Sequence, residues 1–406
     1  MSAAPEPGAV PEVVRDDPSR ALIVTLPREL APYARTQQRW RHGCEVSVLA
    51  AGDEVFPAML GAIAAATTSI SFETYILVAD DTGERFKAAL IERARAGVDV
   101  RLLYDAVGSL GLSETWINGM RQEGVEVVCF NPIAPWRRKF RLSHRDHRKI
   151  LVVDDRVAFT GGINISDDYA SAADGGKGWH DIHCRVTGPI VLDLARMFRR
   201  TWMRAGGAYY RPIAPTVSAV PGDGGAYVRL LDNTRVRSRG TIRRAYLHAL
   251  RSARLSVMIQ NAYFLPDRQL RRALSRAARR GLDVRVMVPG RSDVRLIEWA
   301  SLYALKGLAR SGVKILRWRG PMMHAKTATV DTTWSTIGSY NLDAQSRFSN
   351  LEVNVEILDT QIGQALARNF EQVAINCDLF DEHAWSVLPW WRKALAWLSY
   401  RFRRFL

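Results

Sequence analysis

Cysteine is scarce in this 406-residue sequence, and the four that occur (Cys44, Cys129, Cys184 and Cys377) include no CxxC pair. Their spacing offers neither a zinc ribbon nor a disulfide framework, so the thiols read as buried or free. Long apolar runs are missing too. No window reaches the ~18 uninterrupted apolar residues that a membrane-spanning helix needs. The most apolar early stretch, 58–72, contains Gly61 with several Thr and Ser, and reads as a helix running into a strand. The first twenty residues carry Pro and acids, where a secretory signal would carry a basic end and an apolar core. Residues 1–42 are therefore expected to be a mostly disordered leader, and the protein to stay on the cytoplasmic side. Acid is also in deficit: 41 Asp and Glu against 57 Lys and Arg leave a net charge of +16. Such an excess calls for a polyanionic partner, and charge alone fits nucleic acid and an anionic membrane surface equally. The remaining balance, 47% hydrophobic and 24% charged, is that of a soluble globular chain with room for two domains.

The chain repeats itself. Residues 69–109 and 254–293 each read as an apolar strand, an acid-bearing turn, a helix ending at Gly and a second strand. In the second copy Asp267 is placed to cap the helix, and Leu270, Ala273, Leu274 and Ala277 form its apolar stripe. Gly97 and Gly281 stand where a left-handed helix end is expected. This is a βαβ unit written twice, which predicts a parallel or mixed sheet covered by helices. Further on, HRKILVVDDRVAFTGGINIS from His147 is echoed by HAKTATVDTTWSTIGSYNLD from His324, and a Pro- and Gly-bearing stretch, 211–227, lies between the copies. The expected organisation is α/β: two similar lobes, 43–210 and 228–382, joined by that linker and followed by a basic tail, 383–406.

His147, Lys149 and Asp154, and again His324, Lys326 and Asp331, fit His-x-Lys-x4-Asp. A given histidine meets that pattern by chance roughly once in 400, so two fits in this chain have a probability on the order of 10⁻⁴. The agreement continues into Gly161-Gly162-x-Asn164 and Gly338-Ser339-x-Asn341, at identical offsets from their histidines. His and Lys two apart on a strand share one face and one pocket. Glycine permits close approach of backbone to a ligand, and an Asn amide donates to an oxyanion. These residue types suit phosphoryl transfer. A neutral imidazole can attack phosphorus while a protonated one gives its proton to the leaving oxygen. Two Lys and two Asn would surround the phosphate oxygens. Asp154 and Asp331, at strand ends, suit a structural or orienting role. A metal is not expected, because each set includes a Lys that repels a cation.

The double motif, with these flanks, resembles the phospholipase D superfamily and, within it, the bacterial cardiolipin synthases, over nearly the whole chain from Val46 to Phe380. The resemblance implies two α/β lobes related by a pseudo-twofold, with the active site between them and no cofactor. It implies that His147 forms a phosphatidyl-histidine, and that His324 protonates the departing alcohol and deprotonates the incoming one. It places Lys149, Lys326, Asn164, Asn341 and Ser339 on the substrate phosphate, with Gly162 where the first half lacks that serine. It also implies an acid downstream of each motif that orients a catalytic histidine. Glu352 in SNLEVNVEI matches well. Asp181 in WHDIHCRVTGPIV is the counterpart, six residues further from its own histidine across what looks like a small DGGKG insertion. His180 and His183, beside it, have no repeat partner and read as structural.

Nucleases of this superfamily use the same catalytic set, so the motif does not name the substrate. Three features lean toward lipid: the likeness to the synthases in NAYFLP and GGINISDDY, the basic and aromatic segment PWRRKFRLSHRDHR leading into His147, and the C-terminus. There Leu388, Trp391, Leu395, Leu398, Phe402 and Phe405 follow at helical spacing, with Arg392, Lys393, Arg403 and Arg404 among them, the composition of an interfacial anchor. The expected function is transfer of a phosphatidyl group from phosphatidylglycerol, or a similar phospholipid, to a lipid alcohol. Hydrolysis to phosphatidic acid is the alternative, and a nuclease ranks third. The expected partner is an anionic phospholipid surface at the cytoplasmic face of the membrane, bound peripherally, rather than nucleic acid.

Overall fold

A computed structural model describes residues 24–36, 38–133, 144–210, 224–233 and 240–403. The first half contains β1 (Arg41–Ala50), α1 (Ala51–Ala64), β2 (Ser69–Thr74), α2 (Asp81–Arg95), β3 (Asp99–Asp105), α3 (Glu114–Gln122), β4 (Glu126–Phe130), β5 (Ile150–Val153), β6 (Val157–Gly161), β7 (Ile182–Thr187) and α4 (Ile190–Arg204). The second contains β8 (Ala226–Asp232), α5 (Thr241–Ser252), β9 (Ser256–Asn261), α6 (Arg268–Arg279), β10 (Asp283–Pro289), α7 (Arg295–Ala309), β11 (Lys314–Trp318), β12 (Lys326–Val330), β13 (Trp334–Gly338), α8 (Ala344–Phe348), β14 (Val353–Leu358), α9 (Thr360–Ala374) and β15 (Cys377–Phe380). Two further helices, α10 (Glu382–Ser386) and α11 (Trp390–Arg401), follow.

The strands form one mixed sheet whose centre is the antiparallel seam of β1 with β8. Outward from that seam the order is β1-β7-β6-β5-β2-β3-β4 on one side and β8-β14-β13-β12-β9-β10-β11 on the other, with β15 added at the far edge. Sequence duplication is thus duplication of topology. The parallel β2–β3 and β9–β10 pairs are the two βαβ units. Asp267 caps α6 through the N–H groups of Gln269 and Leu270, and Leu270, Ala273, Leu274 and Ala277 are its buried face. Gly97 and Gly281, at φ of 86° and 87°, take the left-handed conformation that ends α2 and α6 and that a Cβ would strain. Each half has its own apolar core, and a third core draws Ile150, Val152, Cys184 and Val186 from one half with Ile337, Val353, Val355 and Ile357 from the other. The halves are therefore held by hydrophobic burial as well as by strand pairing.

Two boundaries differ from expectation. The leader was drawn to residue 42, but Leu26, Tyr33, Ala34 and Trp40 are buried in the second half's core, and Arg41 already opens β1. A short apolar segment packed against α5, where His248 and Ser252 meet Pro32 O, gains more by burial than it loses in chain entropy. Most of the expected linker, 211–223, lies outside the described residues, and β8 begins at Ala226, two residues before the expected lobe boundary. The tail docks on its own protein: Ala396, Ser399 and Tyr400 are buried, with the Tyr400 ring 4.9 Å from that of Tyr303 on α7. Leu388 and Leu395 of the expected stripe lie half-buried, whereas Trp391, Leu398 and Phe402 are exposed, together with Trp390 and Trp397. Arg404 and Phe405 fall outside the described residues. Among the described residues no helix is long and apolar enough to cross a membrane.

Asp154 and Asp331 lie in the turns that follow β5 and β12, at the ends of those strands remote from the histidines. Both sit in left-handed turns, at φ of 52° and 53°, seven residues past their histidines and ~20 Å away at the rise of an extended chain. Asp154 accepts the N–H groups of Thr67, Thr68 and Ser69 at 2.8–2.9 Å. Asp331 accepts those of Arg254, Leu255 and Ser256 at 2.7–2.8 Å, and Tyr33 donates its hydroxyl to it at 2.7 Å. Each carboxylate pins the entry to β2 or β9. Asp331→Ala should cost about 2–4 kcal/mol, because buried donors lose their acceptor, and a thermal melt should show it. Asp154 has its pKa lowered to about 2 from 3.8: burial acts to raise it, but the hydrogen bonds from Ser69, Thr68 and Thr67 outweigh burial. Its stabilisation is present above the unfolded value and is lost as pH falls through the folded one. Asp154→Asn should therefore melt lower at neutral pH, and its stability should vary less than wild type between pH 4 and 2.

Candidate active site

The two motifs meet where the halves meet, and they meet crosswise. The His147 N–H donates to Leu351 O at 3.0 Å and the Leu351 N–H to Arg145 O at 2.8 Å. In the matching place, the His324 N–H donates to His180 O at 2.7 Å and the His180 N–H to Met322 O at 2.8 Å. These bonds lay each histidine beside the acid of the other half. His147 Nδ1 stands 3.1 Å from Glu352 Oε2, and His324 Nδ1 stands 2.7 Å from Asp181 Oδ2. A carboxylate at Nδ1 accepts a hydrogen bond from the proton held on that nitrogen and leaves Nε2 with its lone pair, on both rings. Both imidazoles are thus set for chemistry at Nε2.

The acids are themselves held. Glu352 accepts the Ser346 hydroxyl at 2.7 Å and the Ser339 hydroxyl, and its backbone N–H donates to Asn233 Oδ1. Burial acts to raise Glu352, but His147, Ser339 and Lys149 outweigh it and hold the carboxyl below its usual range. Burial raises the Asp181 carboxyl, against the nearby Lys326 charge. Lys149 Nζ donates to His147 O at 2.6 Å, while Lys326 Nζ donates to His324 O and lies 2.9 Å from His324 Nδ1. Burial, and for Lys149 the charge on Lys326, bring the lysines down to about 7 and about 8 respectively. Burial also lowers both histidines. His324 falls furthest, because both lysines and His147 add to the effect.

The remaining site residues divide. Asn341 is buried, and its Oδ1 has no partner among the described residues. Asn164 is committed, taking the Ile76 N–H at 3.1 Å and donating to the Tyr169 hydroxyl at 2.7 Å. Ser339 and Gly162, at matching places in the two halves, both stand against the acids. The Ser339 hydroxyl donates to Glu352, and a Cβ on Gly162 would lie 2.2 Å from Asp181 Oδ1. Aspartate is one methylene shorter than glutamate, so Asp181 reaches its histidine by occupying the space of a side chain at 162. His183 Nδ1 accepts the Ile163 N–H at 3.3 Å, and His180 Nε2 sits 3.3 Å from Gln260 Oε1. Both are structural partners of the sheet. Among the described residues no group of three or more His, Cys, Asp or Glu is arranged to hold a metal.

Several residues were missed by sequence reading. Tyr169 Oη lies 3.1 Å from His324 Nδ1. Its place in the second half is taken by Ser346, five residues past Asn341 as Tyr169 is past Asn164, so the repeat itself could have flagged the pair. The ring of Tyr75 stands 4.9 Å from that of His147, with Lys149 Nζ 5.1 Å over its face. Trp179 and Tyr263 flank His324, and Tyr263 donates to Asp293. Beneath the first motif Arg148 is fully buried between Glu73 at 2.8 Å and Asp146 at 2.9 Å. The segment PWRRKFRLS, 135–143, lies outside the described residues.

Known proteins resemble the chain over most of its length. The family described as "Cardiolipin synthase, PLD-like domain" matches residues 59–202 and again 246–374. The chain is similar to cardiolipin synthase B of Salmonella typhi, 34% identical over 378 residues that make up 90% of this chain and 89% of that one. It is also similar to a cardiolipin synthase of a Geobacillus species, 34% identical over 84% of this chain and 70% of that one. Among solved structures, the phosphatidylserine synthase of Haemophilus influenzae shares the fold at a TM-score of 0.65 and 15% identity, over 91% of this chain and 97% of that one.

Two lysines titrating near neutrality give the site a pH-dependent grip on anions. Protonated lysine attracts an anion, so affinity should be high below the lowered pKa values and fall as pH rises through them. Sulfate, whose own charge is constant over this range, should bind about tenfold more weakly at pH 9 than at pH 6. Most of the loss should lie between pH 7 and 8. Calorimetric titration reads this, and an affinity flat across the range would contradict it.

Proposed function

The chain belongs to the phospholipase D-like family of the cardiolipin synthases, and on that premise we propose that it moves a phosphatidyl group between alcohols through a histidine intermediate. The observation that carries this reading is the crossed pairing of each histidine with the other half's acid, which leaves Nε2 with its lone pair on both rings. His147 Nε2 attacks phosphorus, and the bond from phosphorus to the departing alcohol breaks. His324 gives its proton to that oxygen. The incoming alcohol then gives its proton to His324 and attacks the same phosphorus, and the P–N bond to His147 breaks. The assignment of attack to His147 is carried over from the family.

Charge balance says when His324 acquires its proton. With both imidazoles neutral, two lysines and two carboxylates sum to zero. A phosphodiester adds one negative charge, and proton uptake on His324 restores neutrality. Lys149, Lys326 and Asn341 stand ready to meet the charge that develops on the phosphate oxygens. The donor is read as phosphatidylglycerol and the product as cardiolipin, with glycerol released. The protein is read as peripheral at the cytoplasmic membrane face. Supporting that placement, Trp390, Trp391, Trp397 and Phe402 project from α11 beside Arg392, Lys393 and Arg401, as in interfacial helices.

Incubation with phosphatidylglycerol vesicles tests the reading. Cardiolipin and glycerol are expected. Phosphatidic acid alone would make the protein a hydrolase, and DNA cleavage without any lipid product would overturn the reading. His147→Ala and His324→Ala should each lower turnover by at least about 10³-fold. Acid-quenched His324→Ala should retain labelled phosphatidyl on protein, whereas His147→Ala should retain none.

A further inference from the structure

Joining two phospholipids requires a second anion position and a second place for acyl chains, beyond the histidines that hold the reacting phosphate. The structure contains a cavity of about 630 Å³ walled by Leu265, Leu270, Tyr340, Leu342 and Phe348, a volume within the range of small-molecule sites. Four arginines stand around it: Arg268 and Arg271 on α6, Arg347 on α8, and Arg403 just past α11. Two acids share the lining, Asp267 and Asp343, and both are already engaged. Asp267 pairs with Arg243 and with Arg347 at 3.1 Å, and Asp343 caps α8 through the Ser346 N–H at 2.7 Å. Arg268 and Arg271 have no carboxylate partner among the described residues, and the Arg271 guanidinium only covers the Tyr400 ring at 5.5 Å.

The cavity adjoins the reaction centre through one short turn. Tyr340 and Leu342, which wall it, bracket Asn341, and Leu342 is tied to the end of β9 through Asn261 Oδ1 and the Leu265 N–H. Arg403, just past α11, and the exposed Phe348 of α8 share its lining. An apolar groove with unpaired guanidinium groups and the exposed Phe348 ring in its lining fits one occupant by charge and polarity: a phospholipid with its phosphate on arginine and its acyl chain inside. We infer that this groove holds the acceptor phospholipid and presents its head-group hydroxyl to the phosphatidyl-histidine. The inference rests on the transferase reading above. The chemistry balances as before: the hydroxyl proton goes to His324, the acceptor oxygen bonds phosphorus, and the P–N bond breaks.

The test is a competition between acceptors. Phosphatidylglycerol vesicles with added 1-butanol offer the phosphatidyl-enzyme a lipid alcohol and a soluble one that needs no groove. Arg268→Ala with Arg271→Ala, and separately Leu342→Trp to fill the cavity, should lower the ratio of cardiolipin to phosphatidylbutanol about tenfold, as expected when charge-assisted contacts are lost. A ratio unchanged in the surface double variant, whether or not total turnover falls, would overturn the inference even if Leu342→Trp fails to fold. A wild-type protein that makes phosphatidylbutanol but no cardiolipin would also overturn it. One that makes no phosphatidyl product at all would instead sink the transferase reading on which it rests.

Discussion

The crossed histidine–carboxylate pairs are the constraint on which the rest of the molecule depends. His147 takes its tautomer from Glu352, and His324 takes its own from Asp181. Neither half can orient its own histidine. A relative shift of the halves by even 1 Å would stretch both contacts out of hydrogen-bonding range. This explains why the halves share a hydrophobic core and a central strand seam rather than a mobile hinge. It also explains the paired backbone bridges, Asp146 with Leu351 and His180 with Met323, which fix the lateral position of each crossing.

Holding ionisable groups in a dry interface is costly, and the neighbours determine how the cost is met. Burial lowers both lysines toward neutrality and raises Asp181, so each of these three charges sits close to being lost. An incoming phosphate reverses that tendency by supplying the missing negative charge next to the lysines. Arg148 shows the opposite solution beneath the same motif. Its charge is permanent and is buried outright, so it is enclosed by Glu73, Asp146 and the Thr201 hydroxyl at 2.6 Å, because a buried guanidinium without partners would be untenable. It stands between His147 and Lys149 in the chain, on the opposite face of the extended segment.

What could be read from the sequence followed from periodicity and repetition. The two lobes, the βαβ units, the cap at Asp267 and the left-handed glycines are local patterns, and a duplicated pattern is seen twice. The His and Lys positions were legible for the same reason. Asp154 and Asp331 share that regularity, but their repetition reflects a repeated turn, and spacing alone does not separate a repeated turn from repeated chemistry. Burial of Trp40 and Tyr33 was illegible because it depends on a surface more than 200 residues away. The face presented by α11 was misread for a similar reason. Its helical period offers several apolar stripes, and α7 selects the one through Ala396, Ser399 and Tyr400.

The departures from symmetry are where the two histidines become different. Glu352 is braced by two serines, Ser339 and Ser346. Asp181 has instead Gly162, which yields it space, and Tyr169, whose hydroxyl lies against His324. Two hydroxyl donors on Glu352 favour its ionised form, and an ionised acid holds the Nδ1 proton of His147 firmly, which on the proposed mechanism suits Nε2 to attack. Asp181 lacks such donors and is raised by burial, so the His324 side is the softer of the two and can gain or lose charge during turnover. A duplicated fold needs that difference. On the proposed mechanism, two identical half-sites would compete to attack the same phosphorus, whereas unequal acids would let one ring attack while the other carries the proton.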